Sequence, residues 1–316
     1  MAKPITKNAA DGAYLFVHFV GTESNANQEQ IYFSVSQDGS TWKTLNNGMP
    51  VLTSSLGERG VRDPFIQRGI DGKYYIIATD LSIYNRRNDP NKWNACQTSG
   101  SKSIVVWESN DLVNWSEASL IGVADKNAGC TWAPESIYDP EKEMYMVFWA
   151  SKVSDDNYSK QRIYRSYTKD FRTFTPAEVY IDNETSAIDT TILEDNGIYY
   201  RFTKDETYSS VTMMRSTSLS RGWEDVATYT INGEDGNKVT GYEGPTIYKL
   251  NGEDRFCLLL DYFSKGQGYK PFVTDDITRG SFVSATDFSF DEAYRHGTVM
   301  PITTAEYNAL IEKYGN

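Results

Sequence analysis

The stretch "VRDPFIQRGIDGKYYIIAT", residues 61–79, decides the fold because it recurs. It has an apolar strand opened by an acidic residue, a turn rich in Gly and Asp, and a second strand rich in Tyr. The same arrangement returns at "TWAPESIYDPEKEMYMVFW" (131–149), "AIDTTILEDNGIYYRFT" (187–203) and "GYEGPTIYKLNGEDRFCLLL" (241–260). Taking Asp63, Glu135, Asp189 and Glu243 as the entry residues, the steps are 72, 54 and 54 residues, and a further 53 lands on His296 in "YRHGTVMPIT". Self-similarity at this period, with room for four short strands per copy, is the signature of a β-propeller. Five copies predict an all-β, five-bladed propeller.

A second segment alternates with the first. It follows the form S/T-x-D-x-x-x-W/F in "SQDGSTW" (36–42), "SNDLVNW" (109–115) and "TKDFRTF" (168–174), with looser versions at 216–223 and 274–282. Each places a polar turn between a β-patterned run and an aromatic that packs beneath it. The Asp is expected to hydrogen-bond the turn backbone, a structural duty.

The alternation starts on the outer part of one blade and ends on an inner strand at Gly297–Thr303. Ring closure therefore requires that last strand to pair with "AYLFVHF" and "IYFSVSQDGSTWKTL" near the N-terminus, which removes exposed sheet edges. Thr303 and Glu306, three apart, predict a capping box and a short C-terminal helix. The long first step holds "SIYNRRNDPNKWNACQTSGSKS", a polar insertion expected as a loop on one rim. Residues 1–316 are read as one catalytic domain.

Composition narrows the function. A formal charge of -12 argues against nucleic acid or an anionic membrane as partner. Aromatic content of 14%, with 22 Tyr and 7 Trp, suits many short strands or surfaces that stack on flat ligands. No apolar run is long enough to span a bilayer, and "MAKPITKNAADGAYLF" lacks the apolar core of a leader, so the chain as it stands is expected in the cytoplasm, or secreted if a leader has been removed. Cys96, Cys130 and Cys257 are odd in number and widely spaced, which predicts free thiols; loop positions for Cys96 and Cys130 leave a bridge between them open.

Residues that open innermost strands converge at one end of the channel. Asp63, Glu135, Asp189, Glu243 and His296 are the expected set. Clustered carboxylates repel one another, and at least one should hold its proton more tightly than usual. Opposed carboxylates of unequal pKa are what glycoside hydrolysis uses, one as acid and the other as base or nucleophile.

The ordered set "VRDPFI", "TWAPESIY", "IDTTILEDNGIYY" and "GYEGPTIYKLNG" resembles glycoside hydrolase family 43, whose members act on α-L-arabinofuranosides, β-D-xylosides and arabinans. The resemblance implies an inverting hydrolase with Asp63 as general base, Asp189 as the carboxylate that tunes and orients the acid, and Glu243 as general acid. It also implies a channel histidine, His296, that binds calcium largely through water, and no organic cofactor. Glu243 is expected to be kept protonated by the charge of Asp189. Trp132, Glu135, Tyr242 and Arg295 are the expected sugar contacts, with Trp149 and Arg62 as weaker ones. The substrates expected are arabinoxylan and xylo-oligosaccharides of plant cell walls, attacked from a chain end because the insertion at 84–103 walls off one side. Two other readings stay open: a retaining β-fructosidase, suggested by "RNDPNKW" (87–93), and a non-catalytic carbohydrate-binding propeller. One channel histidine argues against a His-rich catalytic zinc site.

Overall fold

The computed structural model describes residues 12–21 and 23–315; the first 11 residues, on which the leader reading partly rests, lie outside them. Five mainly antiparallel sheets radiate from a central channel. Their innermost strands are Val61–Arg68 (blade I), Trp132–Asp139 (blade II), Ala187–Asp195 (blade III), Glu243–Lys249 (blade IV) and Arg295–Thr303 (blade V). Each packs against the next around a closed circle.

Blade V closes the ring as the alternation requires. Arg295–Thr303 pairs antiparallel with Gly12–Phe19, from Gly12 opposite Thr303 to Phe19 opposite Arg295. Tyr32–Ser36 and Thr41–Thr44 complete the blade outward, and Ser289–Phe290 adds a parallel outer edge.

Side-chain alternation explains why the second strands are so rich in Tyr, Ile and Phe. Successive residues point to opposite faces, and both faces of a blade are buried against neighbours. In blade I, Tyr74 and Ile76 pack toward blade V with Leu15, Phe33 and Trp107, whereas Tyr75 and Ile77 pack toward blade II with Val147, Trp149 and Phe171. Comparable apolar clusters fill the other three seams. Burial at about 25 cal/mol per Å² of apolar surface along all five seams holds the ring together.

The polar turns behave as read. Asp38, Asp111 and Asp170 each accept two backbone N–H groups, at 2.7 to 2.9 Å. The C-terminal helix, Thr304–Tyr314, opens with the expected capping box. Glu306 also ion-pairs with Arg68, and Leu310 is buried, so the helix seals the seam between blades V and I.

The insertion of blade I departs from expectation. It contains a helix, Lys92–Thr98, and Cys96 lies on that helix with its side chain buried against Leu81, Ile83 and Trp132. The run is too short for helical periodicity to show in the sequence. Cys96, Cys130 and Cys257 are all buried free thiols. Among the described residues no helix is long and apolar enough to cross a membrane.

Candidate active site

A register shift at the start of each inner strand builds the site. The ladder slips between Arg62 and Phe65, Trp132 and Glu135, Ile188 and Thr190, and Glu243 and Thr246. Within four of these slips one residue is left-handed: Asp63 (φ 51°), Ala133 (φ 47°), Asp189 (φ 48°) and Gly244 (φ 55°). Such bulges re-aim side chains and recur next to active sites. His296 occupies the matching place in blade V, where the shift falls between Val17 and Phe19.

This geometry corrects the equivalence drawn from spacing. Asp63, Asp189 and His296 are true counterparts, but Glu243 stands one residue before the left-handed position and Glu135 two residues after it. Gly244 is required where it stands, since a Cβ there would lie 2.7 Å from His296 Cγ and φ is positive.

Asp63 and Asp189 are brought together by His296. Its Nδ1 lies 3.4 Å from Asp63 Oδ1 and 3.8 Å from Asp189 Oδ2. The other oxygen of Asp63 accepts from Thr79 Oγ1 at 2.8 Å, and Thr79 Oγ1 in turn accepts from Ala133 N at 2.8 Å, tying blade I to blade II. Asp189 Oδ2 accepts from Gly244 N at 3.0 Å, one peptide away from Glu243. Burial raises Asp189 to about 6; the facing imidazole opposes this, and the charge of Glu243 adds to it.

Glu243 is held by two cations. Lys204 Nζ is 2.9 Å from Oε2, and Arg295 Nη2 is 3.4 Å from Oε1. Burial works against the carboxylate, yet Lys204 and then Arg295 outweigh it and lower Glu243 below its ordinary range. The expectation of a protonated Glu243 therefore fails for the substrate-free site. Here Asp189 is the group that retains its proton more tightly, because it is more deeply buried and lies farther from a cation.

Glu135 is buried, and its Oε2 has no hydrogen-bond partner among the described residues. Burial drives its carboxyl far above the usual range; donation from Thr191 opposes this and the charge of Asp189 reinforces it. Its carboxyl, in the channel wall, therefore favours the protonated form more than an ordinary glutamate does.

The expected sugar contacts divide. Arg295 reaches the site and pairs with Asp261 as well as Glu243. Arg62 pairs with Glu23 and the buried Glu29. Glu29 also accepts from Ser82 Oγ, Ile83 N and Tyr84 N, anchoring the root of the insertion. Trp132 is half-buried between the insertion and the seam of blades II and III. Trp149 is core. Tyr242 stacks on Tyr262, with centroids 4.1 Å apart and planes at 9°, so one of its faces is already covered.

The described residues do not show the calcium expected at His296. Among the described residues no three His, Cys, Asp or Glu side chains are arranged to hold a metal ion. His296 Nδ1 faces two carboxylates, and calcium takes six to eight oxygen ligands, waters among them.

Lys204, Asp261 and Thr79 escaped the sequence reading because they lie on second strands, not at entries. A signal existed for Lys204: it ends a Tyr- and Phe-rich second strand, "IYYRFTK" (198–204), of the kind expected to be buried on both faces, where a lysine needs a partner. The "NDPN" segment is a surface feature. Asp89 caps the turn by accepting from Asn91 N at 2.8 Å, and the chain continues into the helix of the insertion.

Residues 10–308 match the family described as "Probable glycosyl hydrolase domain", related to glycoside hydrolase family 43. A protein of Bifidobacterium longum subsp. longum named α-L-arabinofuranosidase is 32% identical over 313 residues, covering 86% of this chain and 28% of its own length. The chain thus spans little more than a quarter of that relative. Two solved structures share the fold: a GH43_1 enzyme of Xanthomonas citri, with TM-score 0.52, 14% identity and coverage of 74% of this chain and 76% of that one, and the catalytic domain of a GH62 α-L-arabinofuranosidase of Coprinopsis cinerea, with TM-score 0.50, 14% identity and coverage of 78% and 74%.

Proposed function

The chain belongs to the family 43-related glycosyl hydrolase domains, and from that premise we propose that it is an inverting, exo-acting hydrolase of terminal α-L-arabinofuranosyl or β-D-xylosyl residues. Its substrates in this reading are arabinoxylan side chains and xylo-oligosaccharides.

The observation that carries the reading is the convergence of Asp63, Asp189 and Glu243 from three blades. Asp63 and Asp189 flank one imidazole nitrogen, and Asp189 is bonded to the peptide that follows Glu243. Three carboxylates with unlike partners can divide acid and base duties, as glycoside hydrolysis demands.

In this mechanism Asp63 takes a proton from water attacking the anomeric carbon, while Glu243 donates one to the departing oxygen. Thr79 fixes one oxygen of Asp63, and the other, which faces His296 Nδ1, is the one that takes the water's proton. Glu243 begins as a carboxylate, because Lys204 and Arg295 favour that form, and must take up a proton before it donates one. Asp189, raised to about 6, binds a proton more tightly than an ordinary aspartate, and its charge tunes that uptake. Arg295 orients Glu243 and can meet a sugar hydroxyl with a remaining N–H. No step requires an organic cofactor.

Name and sequence identity favour arabinofuranose first, since the named relative at 32% identity is an α-L-arabinofuranosidase. The test is turnover of 4-nitrophenyl α-L-arabinofuranoside and 4-nitrophenyl β-D-xyloside by the purified chain. Release of 4-nitrophenol from either supports the reading. Sugar binding without release from both supports a binding module, and sucrose hydrolysis would point to a fructosidase.

A further inference from the structure

Lys204 is the most deeply buried cation at the site, its side chain 1% exposed, and it stands between two carboxylates. Its Nζ is 2.9 Å from Glu243 Oε2 and 2.5 Å from Glu206 Oε2. The ring of Phe263 lies beneath the ammonium, 4.2 Å away, which screens that side from water. The two partners differ in surroundings: Glu243 is 21% exposed inside the channel, whereas Glu206 is 48% exposed at its edge.

We propose that Lys204 is a positioning residue for the reaction: it holds the Glu243 carboxylate in place and, with Glu206 as its second partner, governs when that carboxylate takes up the proton it must donate. This rests on the reading of Glu243 as the acid.

The argument is one of charge. A buried ammonium is costly unless paired, so a lysine with a single carboxylate partner would resist losing it. With Glu206 also in contact, Lys204 remains paired after Glu243 becomes neutral. The cycle then balances. Glu243 takes a proton from solvent and leaves the ion pair, gives that proton to the departing sugar oxygen, and returns to Lys204 as a carboxylate. Asp63 meanwhile accepts the proton of the attacking water and later releases it to solvent.

Other charged groups face Glu243 as well. Arg295 and His296 come from the inner strand of blade V, Asp261 from the second strand of blade IV, and Asp189 from the inner strand of blade III. Arg295 is already committed to Asp261, and the negative charges of Asp261 and Asp189 oppose a second negative charge on Glu243. Lys204 is therefore the cation whose removal should alter Glu243 most.

The experiment follows carboxyl titration in the substrate-free full chain by carbon-13 NMR after labelling glutamate at Cδ. The Glu243 signal is identified by its loss in Glu243→Gln. In Lys204→Met the Glu243 midpoint should rise by about one pH unit or more, the usual effect of losing an adjacent opposite charge. In Glu206→Gln it should fall by a smaller amount, since Lys204 then has Glu243 as its main partner. The pH profile of kcat/KM should change in both variants, in opposite senses. A midpoint unmoved by Lys204→Met, or shifts of the same sign in both variants, overturns the proposal. Glu206 is half-exposed, so its variant gives the answer even if Lys204→Met does not fold. If Glu243→Gln hydrolyses substrate as fast as wild type, the acid assignment fails and the proposal with it; an inactive Glu243→Gln together with a Glu243 midpoint unmoved by Lys204→Met overturns the proposal alone.

Discussion

His296 Nδ1, on the last strand of the propeller, lies 3.4 Å from Asp63 Oδ1, on the first blade. Closure of the ring and assembly of the carboxylate cluster are therefore one event. Deleting the chain from Tyr294 onward strips blade V of its inner strand and exposes the apolar seams on both sides of it. The truncated chain is expected to lose cooperative thermal unfolding as well as activity, as read by circular dichroism; a truncation that still melts cooperatively would separate the two.

Glu243→Gln should remove general acid catalysis, typically worth about 10² to 10⁴ in rate. The loss should be largest for substrates with poor leaving groups and smallest for 2,4-dinitrophenyl glycosides, whose departing oxygen needs little protonation. Arabinofuranoside and xyloside activities should fall together, because one acid serves both. Kinetics across a leaving-group series checks this.

Asp189 links the site to stability. Its folded-state pKa of about 6 lies above the ordinary aspartate value, so the folded state binds the proton more tightly than the unfolded chain does. That contribution is fully present below the unfolded pKa and is lost as pH rises through about 6. Asp189→Asn, which keeps the acceptor for Gly244 N, should be more stable than wild type at pH 7, by on the order of 2 kcal/mol. The difference should vanish below about pH 4. Urea unfolding at the two pH values measures it.

Thr79 joins Asp63 to Ala133 through one hydroxyl. Thr79→Val leaves the Ala133 N–H without its acceptor and Asp63 Oδ2 without its donor. The expected cost is about 1 to 3 kcal/mol of stability. kcat should also fall without a matching change in KM, since what is lost is the aim of the base; Thr79→Ser should restore both.

Much of this fold could be read from the chain because each inner and second strand pair carries its own turn, and because alternation along "KYYIIAT" or "EMYMVFW" marks strands buried on both faces. Closure was legible for the same reason: the count of entries ended on a strand with no blade of its own. Capping was legible in Thr303 and Glu306, which act within one turn.

The bulges were not legible. A left-handed residue moves the channel-facing position by one or two places, so aligning acidic residues by count equated Glu135 and Glu243 with positions they do not occupy. Nor could entry motifs reveal Lys204, which comes from a second strand and inverts the expected protonation of Glu243. Burial and cation distance, which decide a pKa, depend on tertiary packing that spacing does not encode.

The central claim is that Asp63 activates water for direct displacement while Glu243 protonates the leaving oxygen. Proton NMR of the first product formed, recorded before mutarotation, tests it most directly. The account predicts that the anomeric configuration of the released sugar is opposite to that of the substrate. A product that first appears with the substrate's configuration would make Asp63 a nucleophile and contradict the account.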